Sequence, residues 1–137
     1  ALIPDSYIDM TAEKIRIYKE LDSLTSEKDL INMKNRLTDR FGKMPVELER
    51  LFDIVRIRQL GQKLGFEKII IKNGVMIAFF ITNPLSQYYR SDRFSKVLEN
   101  VNLNPKLFEI KQPDGRLRIM VRNVDGISKA YDILKKL

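Results

Sequence analysis

Any chemistry in this 137-residue chain must be done without histidine or cysteine, since it contains neither. That removes Ser-His and Cys-His nucleophile pairs, imidazole and thiolate metal ligands, disulfides, and proton transfer by a side chain titrating near neutral pH. Carboxylate pairs remain at Asp5/Asp9 and Glu47/Glu49. Their settings suit solvated charge and helix-dipole complementation rather than acid–base work. Gly61 and Gly65 lie in a GQKLG stretch that lacks the Gly-Lys-Ser/Thr ending of a phosphate loop. No enzymatic activity, metal or cofactor is therefore expected in this chain. Recognition by charge is what the remaining residues can do. Asp39 and Arg40 sit on the last turn before a helix stop, beside Phe41, Gly42 and Pro45, where they would form either a local ion pair at the helix end or a charged docking patch. Arg116, Arg118 and Arg122 alternate along a strand-like run with Leu117, Ile119 and Val121 between them. Such a basic strand face could grip a phosphate backbone, although it lacks interleaved aromatics for base stacking.

The charge balance narrows the choice. Residues 1–45 carry 8 basic and 8 acidic side chains, and the remainder 17 and 10, so the net +7 lies in the later part. An excess of this size permits an accessory nucleic-acid-binding module, and it equally describes a solvated surface. No apolar run approaches the roughly 20 residues of a membrane span; the longest, 75–81, suits a buried strand. The opening ALIPDSYI has neither the basic nor the apolar region of a signal peptide. It also lacks an initiating Met and reads as mid-protein sequence, so a cytoplasmic fragment of a longer protein is expected.

The elements that must position these residues follow from periodicity. Thr11 is a candidate N-cap for a helix to about residue 24, with Ile15, Tyr18 and Leu21 as its apolar stripe. Ser26 caps a second helix, with Asp29 completing an imperfect capping box. Leu30, Met33, Leu37 and Phe41 form its inner face, and Gly42 ends it in a left-handed conformation. Pro45 opens a third helix of about 19 residues, running to Leu64-Gly65. Leu48, Leu51, Phe52, Val55 and Leu60 form its stripe, broadened by Ile54 and Ile57. Gly61, inside this helix, costs about 1 kcal/mol relative to alanine, for which close approach of another backbone is the simplest reason and a mild weakening of the helix the alternative.

Beyond Gly65 the pattern changes to strands. Residues 66–72 and 75–82 flank Asn73-Gly74, a hairpin signal. A helix in the later part of 85–101 follows. Residues 107–112 and 116–122 form a second hairpin around Pro113-Asp114-Gly115, and a last helix starts near Asp125. Its face carries Ile127, Ala130, Tyr131, Leu134 and Leu137. The expected fold is α+β in one compact domain: a three-helix part over 1–65, then a ββαββα part with a small antiparallel sheet over 66–137.

Several stretches together resemble the C-terminal domain of bacterial transcription-repair coupling factors: IPDSYI, EKIRIYKEL, LTDRFGKMP and LFDIVRIRQLGQKLG. The resemblance covers nearly the whole chain and is most distinctive at the last two. It implies a regulatory, non-catalytic module of a large DNA translocase whose ATP and Mg²⁺ are bound by motor domains elsewhere in the parent. It further implies that the module docks on the UvrB-like N-terminal module of the same chain. There it would mask the face that recruits UvrA and restrain the motor until RNA polymerase is engaged on double-stranded DNA. Asp39 and Arg40 match the acidic-basic pair of that docking surface. Arg36 stands where the family often has glutamate, which reverses one charge of the expected patch.

Overall fold

The computed structural model describes residues 3–137; Ala1 and Leu2, which begin the expected helical part, lie outside the described residues. The elements run α1 (Thr11–Ser23), α2 (Glu27–Phe41), α3 (Val46–Leu64), β1 (Phe66–Lys72), β2 (Val75–Phe80), α4 (Asp92–Leu103), β3 (Glu109–Lys111), β4 (Arg118–Arg122) and α5 (Ile127–Leu134). One-turn 3-10 helices at Gln87–Arg90 and Pro113–Gly115 precede α4 and β4. The α+β class and the element order are those expected. The chain divides into two compact units, Ala1–Gln59 and Leu60–Leu137, and the division falls within α3 rather than at its end.

In the first unit, Ile3, Ile8, Ile17, Leu21, Leu30, Met33, Leu37, Met44, Leu48, Phe52 and Val55 form one buried cluster. Ser26 caps α2 as expected, its hydroxyl accepting from Asp29 N–H at 3.1 Å. The α1 cap differs. Thr11 is the first helical residue, and Met10 occupies the cap position without a side-chain bond. The α1 stripe also shifts, because Ile15 is 48% exposed while Ile17 is buried. At 3.6 residues per turn, Ile17 and Leu21 share a face and Ile15 lies roughly opposite. A step of three residues, as in the expected stripe, drifts off that face. Ile54 is likewise 45% exposed, whereas Ile57 is buried.

The second unit holds a four-stranded antiparallel sheet ordered β1-β2-β4-β3. Asn73 and Gly74, both at positive φ, make the tight turn between β1 and β2. Along β2, Met76, Ala78 and Phe80 are buried, as are their β4 counterparts Ile119 and Val121. Phe80 meets Phe66, Tyr88 and Phe94 at ring-centroid distances of 4.7, 6.2 and 5.6 Å. Helices α4 and α5 add Val97, Val101, Ala130, Ile133 and Leu134 to the buried set. Strands β2, β3 and β4 are shorter than their apolar patterns predict. Gly61 faces a side chain rather than a backbone: a Cβ there would lie 2.6 Å from Ile69 Cδ1.

Gly65 is the tightest point of this unit. It follows α3 at φ +102°, and an added Cβ would fall 2.0 Å from Tyr88 Cζ. The Tyr88 hydroxyl donates to the Leu64 carbonyl at the end of α3. Gly65→Ala is expected to destabilise the protein by about 3 kcal/mol or more, combining positive-φ strain with overpacking; urea denaturation would measure it. Burial also raises the phenol pKa values of Tyr88 and Tyr89 above the ordinary 10.0. Both phenols thus stay neutral in the fold at pH values where the unfolded chain ionises. The stability they contribute is complete below about pH 10 and is lost as pH rises from there through the higher folded-state values. Melting temperatures measured between pH 9 and 12 should fall, and the fall should shrink in Tyr88→Phe.

Candidate functional site

The corner after α2 is built from the inside outward. Leu30, Met33 and Leu37 bury one side of α2, which turns Arg36, Asp39 and Arg40 to the exposed side. Phe41 is half-buried, its ring 5.7 Å from that of Tyr7. Gly42 then takes φ +87°, ψ −163°, with its N–H donating to the Thr38 carbonyl at 2.9 Å. This is not the left-handed helical conformation expected. It lies in a region essentially reserved for glycine, where even asparagine is strained. Met44 is buried. Pro45 sits one residue ahead of α3, and its carbonyl accepts from Leu48 and Glu49 N–H, each at 3.1 Å. Glu47 and Glu49 occupy the first turn of α3, where negative charge complements the helix dipole.

Tyr7 is the residue of this corner that sequence reasoning missed. Its hydroxyl is shared between the carbonyls of Leu37 and Gly42, both at 3.2 Å. It thereby ties the opening segment to both sides of the chain reversal. The apolar Ile3 and the Tyr7-Ile8 pair on either side of Pro-Asp-Ser were the available signal, and all three are at least half-buried.

The charges do different work from one another. Arg40 reaches Glu13 Oε1 on α1 at 2.9 Å and stacks over Phe41, 4.8 Å from its centroid. Arg16 binds the other oxygen of Glu13 at 3.2 Å. Arg36 is paired with Glu20, also on α1. Glu13 and Glu20 lie about two helical turns apart, so the two arginines tie α2 to α1 at two levels. Asp39 pairs with neither, and no ion-pair partner reaches it among the described residues. It stands exposed on the same helical face as Asn35 and Ile31, of which Ile31 is 48% exposed. The C-terminal half of α2 therefore offers an exposed carboxylate at Asp39, with Ile31 two turns earlier.

The three strand arginines are brought together only in part. Arg116 lies ahead of β4, while Arg118 and Arg122 are at its two ends. Arg116 and Arg118 both stack on Phe79, with guanidinium carbons 4.8 and 4.6 Å from the ring centroid. Arg122 is bound to Glu109 Oε1 at 3.0 Å, and this hydrogen bond is the main cause of the lowered Glu109 pKa. An aromatic does lie among these arginines, supplied by the neighbouring strand rather than interleaved along β4. Phe79 is opposite Arg118 across the β2–β4 register, a pairing invisible in the linear pattern. Its ring is buried beneath the guanidinium groups and is not offered for stacking with a base.

A model of the TRCF domain family matches residues 1–91, two-thirds of the chain, including the whole corner. The chain belongs to the TRCF domain family. The transcription-repair-coupling factor of Rickettsia prowazekii (strain Madrid E) is 33% identical over 124 residues, covering 90% of this chain and 10% of that protein. That of Staphylococcus haemolyticus (strain JCSC1435) is 43% identical over 137 residues, covering 92% and 12%. The chain thus spans about a tenth of the length of these curated relatives. In fold it matches the crystal structure of the C-terminal domain of transcription-repair coupling factor, with a TM-score of 0.78 and 18% identity over 99% of this chain and 85% of that one. Within this TRCF domain the corner lies inside the family match and β4 lies outside it.

The packing of Phe41 sets an expectation. Because the ring is half-buried and covered by Arg40 and Tyr7, Phe41→Ala should cost about 2 kcal/mol, short of the roughly 3–5 kcal/mol of a fully buried phenylalanine. Tyr7→Phe, which keeps the ring contact and removes only the hydroxyl, should cost about 1 kcal/mol. Denaturant melts of the two variants separate the contributions.

Proposed function

We propose that this domain is a non-catalytic regulatory module of a transcription-repair coupling factor. It docks on the UvrB-like module of its own parent chain, covers the surface that recruits UvrA, and restrains the ATP-driven motor until RNA polymerase is engaged. The observation that carries this reading is the state of Asp39: exposed, unpaired among the described residues, and held next to a corner whose backbone has little freedom. A carboxylate in that setting is available to a cationic partner without first breaking an internal bridge. Asn35, one turn earlier on α2, and Ile31, two turns earlier, extend the exposed surface with hydrogen-bonding and apolar groups. Arg36 and Arg40, bound to Glu20 and Glu13, shape this surface from within.

Such a contact must be releasable. A polar intramolecular interface of about 3 kcal/mol would keep the closed state near 99% populated, yet a partner binding only the open state could displace it. In the full-length protein, Asp39→Lys should therefore raise ATPase activity and UvrA binding in the absence of RNA polymerase, with the domain's melting temperature unchanged. Reversing Arg40 is a less direct probe, because it also breaks the bridge to Glu13; pairing Arg40→Glu with Glu13→Arg restores that bridge in reversed order. Wild-type ATPase activity and UvrA binding in a folded Asp39→Lys protein would rule out this carboxylate as the latch.

A further inference from the structure

The arginines of β4 are engaged, yet the unit they belong to, residues 60–137, holds 14 Lys and Arg against 7 Asp and Glu. The first unit is balanced at 11 and 11. The whole excess of +7 therefore belongs to the second unit, and part of it is gathered at one place. Lys63, Gln87, Tyr88, Arg90, Ser91 and Arg93 line an open depression of about 680 Å³. Its three cations come from three different elements: the last turn of α3, the Gln87–Arg90 turn and the first turn of α4. None is in an ion pair among the described residues, and no carboxylate lines the depression. In the first unit, by contrast, Arg16, Arg36, Arg40, Arg56 and Arg58 are all in ion pairs.

We propose that this basic depression is a contact site for the phosphate backbone of DNA. Keeping three like charges close together without counter-charges costs energy unless an anion relieves it. The surface is also pre-shaped. Tyr88 forms its floor, anchored by its hydroxyl to Leu64 and by its ring against Phe80 and Phe94. The space for that ring exists because Gly65 has no side chain. Ser91 is held by two bonds, accepting from Phe94 N–H and donating to the Tyr88 carbonyl. Because Ser91 already caps α4, the site rests on its three side-chain cations and not on the helix end.

The same geometry sets the mode of binding. Tyr88 is the aromatic of the depression, fixed by its hydroxyl on the Leu64 carbonyl and its ring against Phe80 and Phe94, so the three cations supply the contact. Contact is through phosphates and is independent of sequence. The site shares no residue with the Asp39 surface, and neither proposal depends on the other.

The test is fluorescence anisotropy of the 137-residue chain with a labelled 20-base-pair duplex across a salt series. Binding should weaken linearly in a plot of log affinity against log salt. Neutralising the depression with Lys63→Ala, Arg90→Ala and Arg93→Ala should lower affinity at least ten-fold at low salt. The slope should become shallower by about 2–3, or roughly 0.9 for each phosphate that the variant no longer neutralises. A control with Lys72→Ala, Lys106→Ala and Lys136→Ala removes the same net charge from elsewhere in the unit and should retain most of the binding. Exchanging the duplex sequence should change affinity less than two-fold. Equal reductions in both triple variants would mean diffuse attraction and overturn the site, as would absence of binding by the wild-type chain at low salt. Arg93→Ala alone, at an exposed position, should reduce affinity two- to five-fold and keeps the test readable should the triple variant melt early; an unchanged affinity would count against the site.

Discussion

Each unit of this domain turns on a helix end at which a glycine reverses the chain and a tyrosine hydroxyl bonds carbonyls beside the reversal. At the end of α2 the chain turns through Gly42, in backbone geometry open to glycine alone, and Tyr7 donates its hydroxyl to the carbonyls of Leu37 and Gly42. At the end of α3 it turns through Gly65, and Tyr88 donates to the Leu64 carbonyl. In each case a glycine makes the reversal possible and a tyrosine from elsewhere in the same unit secures it. The two proposed contact surfaces rest on these anchors. One lies at the end of the helix that displays Asp39, and the other lines the depression that Lys63, Arg90 and Arg93 share.

Charge in this domain is sorted by whether it is compensated internally. The neutral first unit ties five of its six arginines to carboxylates, while Asp39 stays exposed without an ion-pair partner among the described residues. The second unit carries the whole net excess, stacks two arginines on Phe79, binds a third to Glu109, and leaves the depression beside Tyr88 uncompensated. A chain average of +7 conceals this division. Exposed ion pairs contribute little stability individually, so their larger effect here is to decide which charges remain available to a partner.

Local chemistry makes much of the fold legible. The Ser26 cap, the stops at Gly42 and Gly65 and the Asn73-Gly74 hairpin all arise from preferences that act within four residues. Legibility fails where a local pattern admits two answers. Either Ile15 or Ile17 could be the inner residue of α1, and the rest of the core selects Ile17. Gly61 does mark a close approach, but the neighbour is Ile69 rather than a backbone, since side-chain reach is not written in a single helix. The short β3 and β4 are apolar runs longer than the ladder that uses them.

The amino-acid sequence by itself determined which functions were closed to this chain, because histidine and cysteine cannot be supplied by folding. It also determined the order of the elements and the position of the corner at Phe41-Gly42, since helix stops are local. Tertiary structure decided the fate of each charge. Arg36 and Arg40 look as free as Asp39 in the linear chain, and only the approach of α1, with Glu13 and Glu20 at matching heights, engages the first two and leaves the third. Likewise Arg116, Arg118 and Arg122 form the plainest basic run, whereas Lys63, Arg90 and Arg93 are scattered over 31 positions. Strand register placed Phe79 under the former, and the wedge of Tyr88 against Gly65 gathered the latter. Coulomb interactions depend on distance in space, and sequence separation says little about that once a chain has folded back on itself.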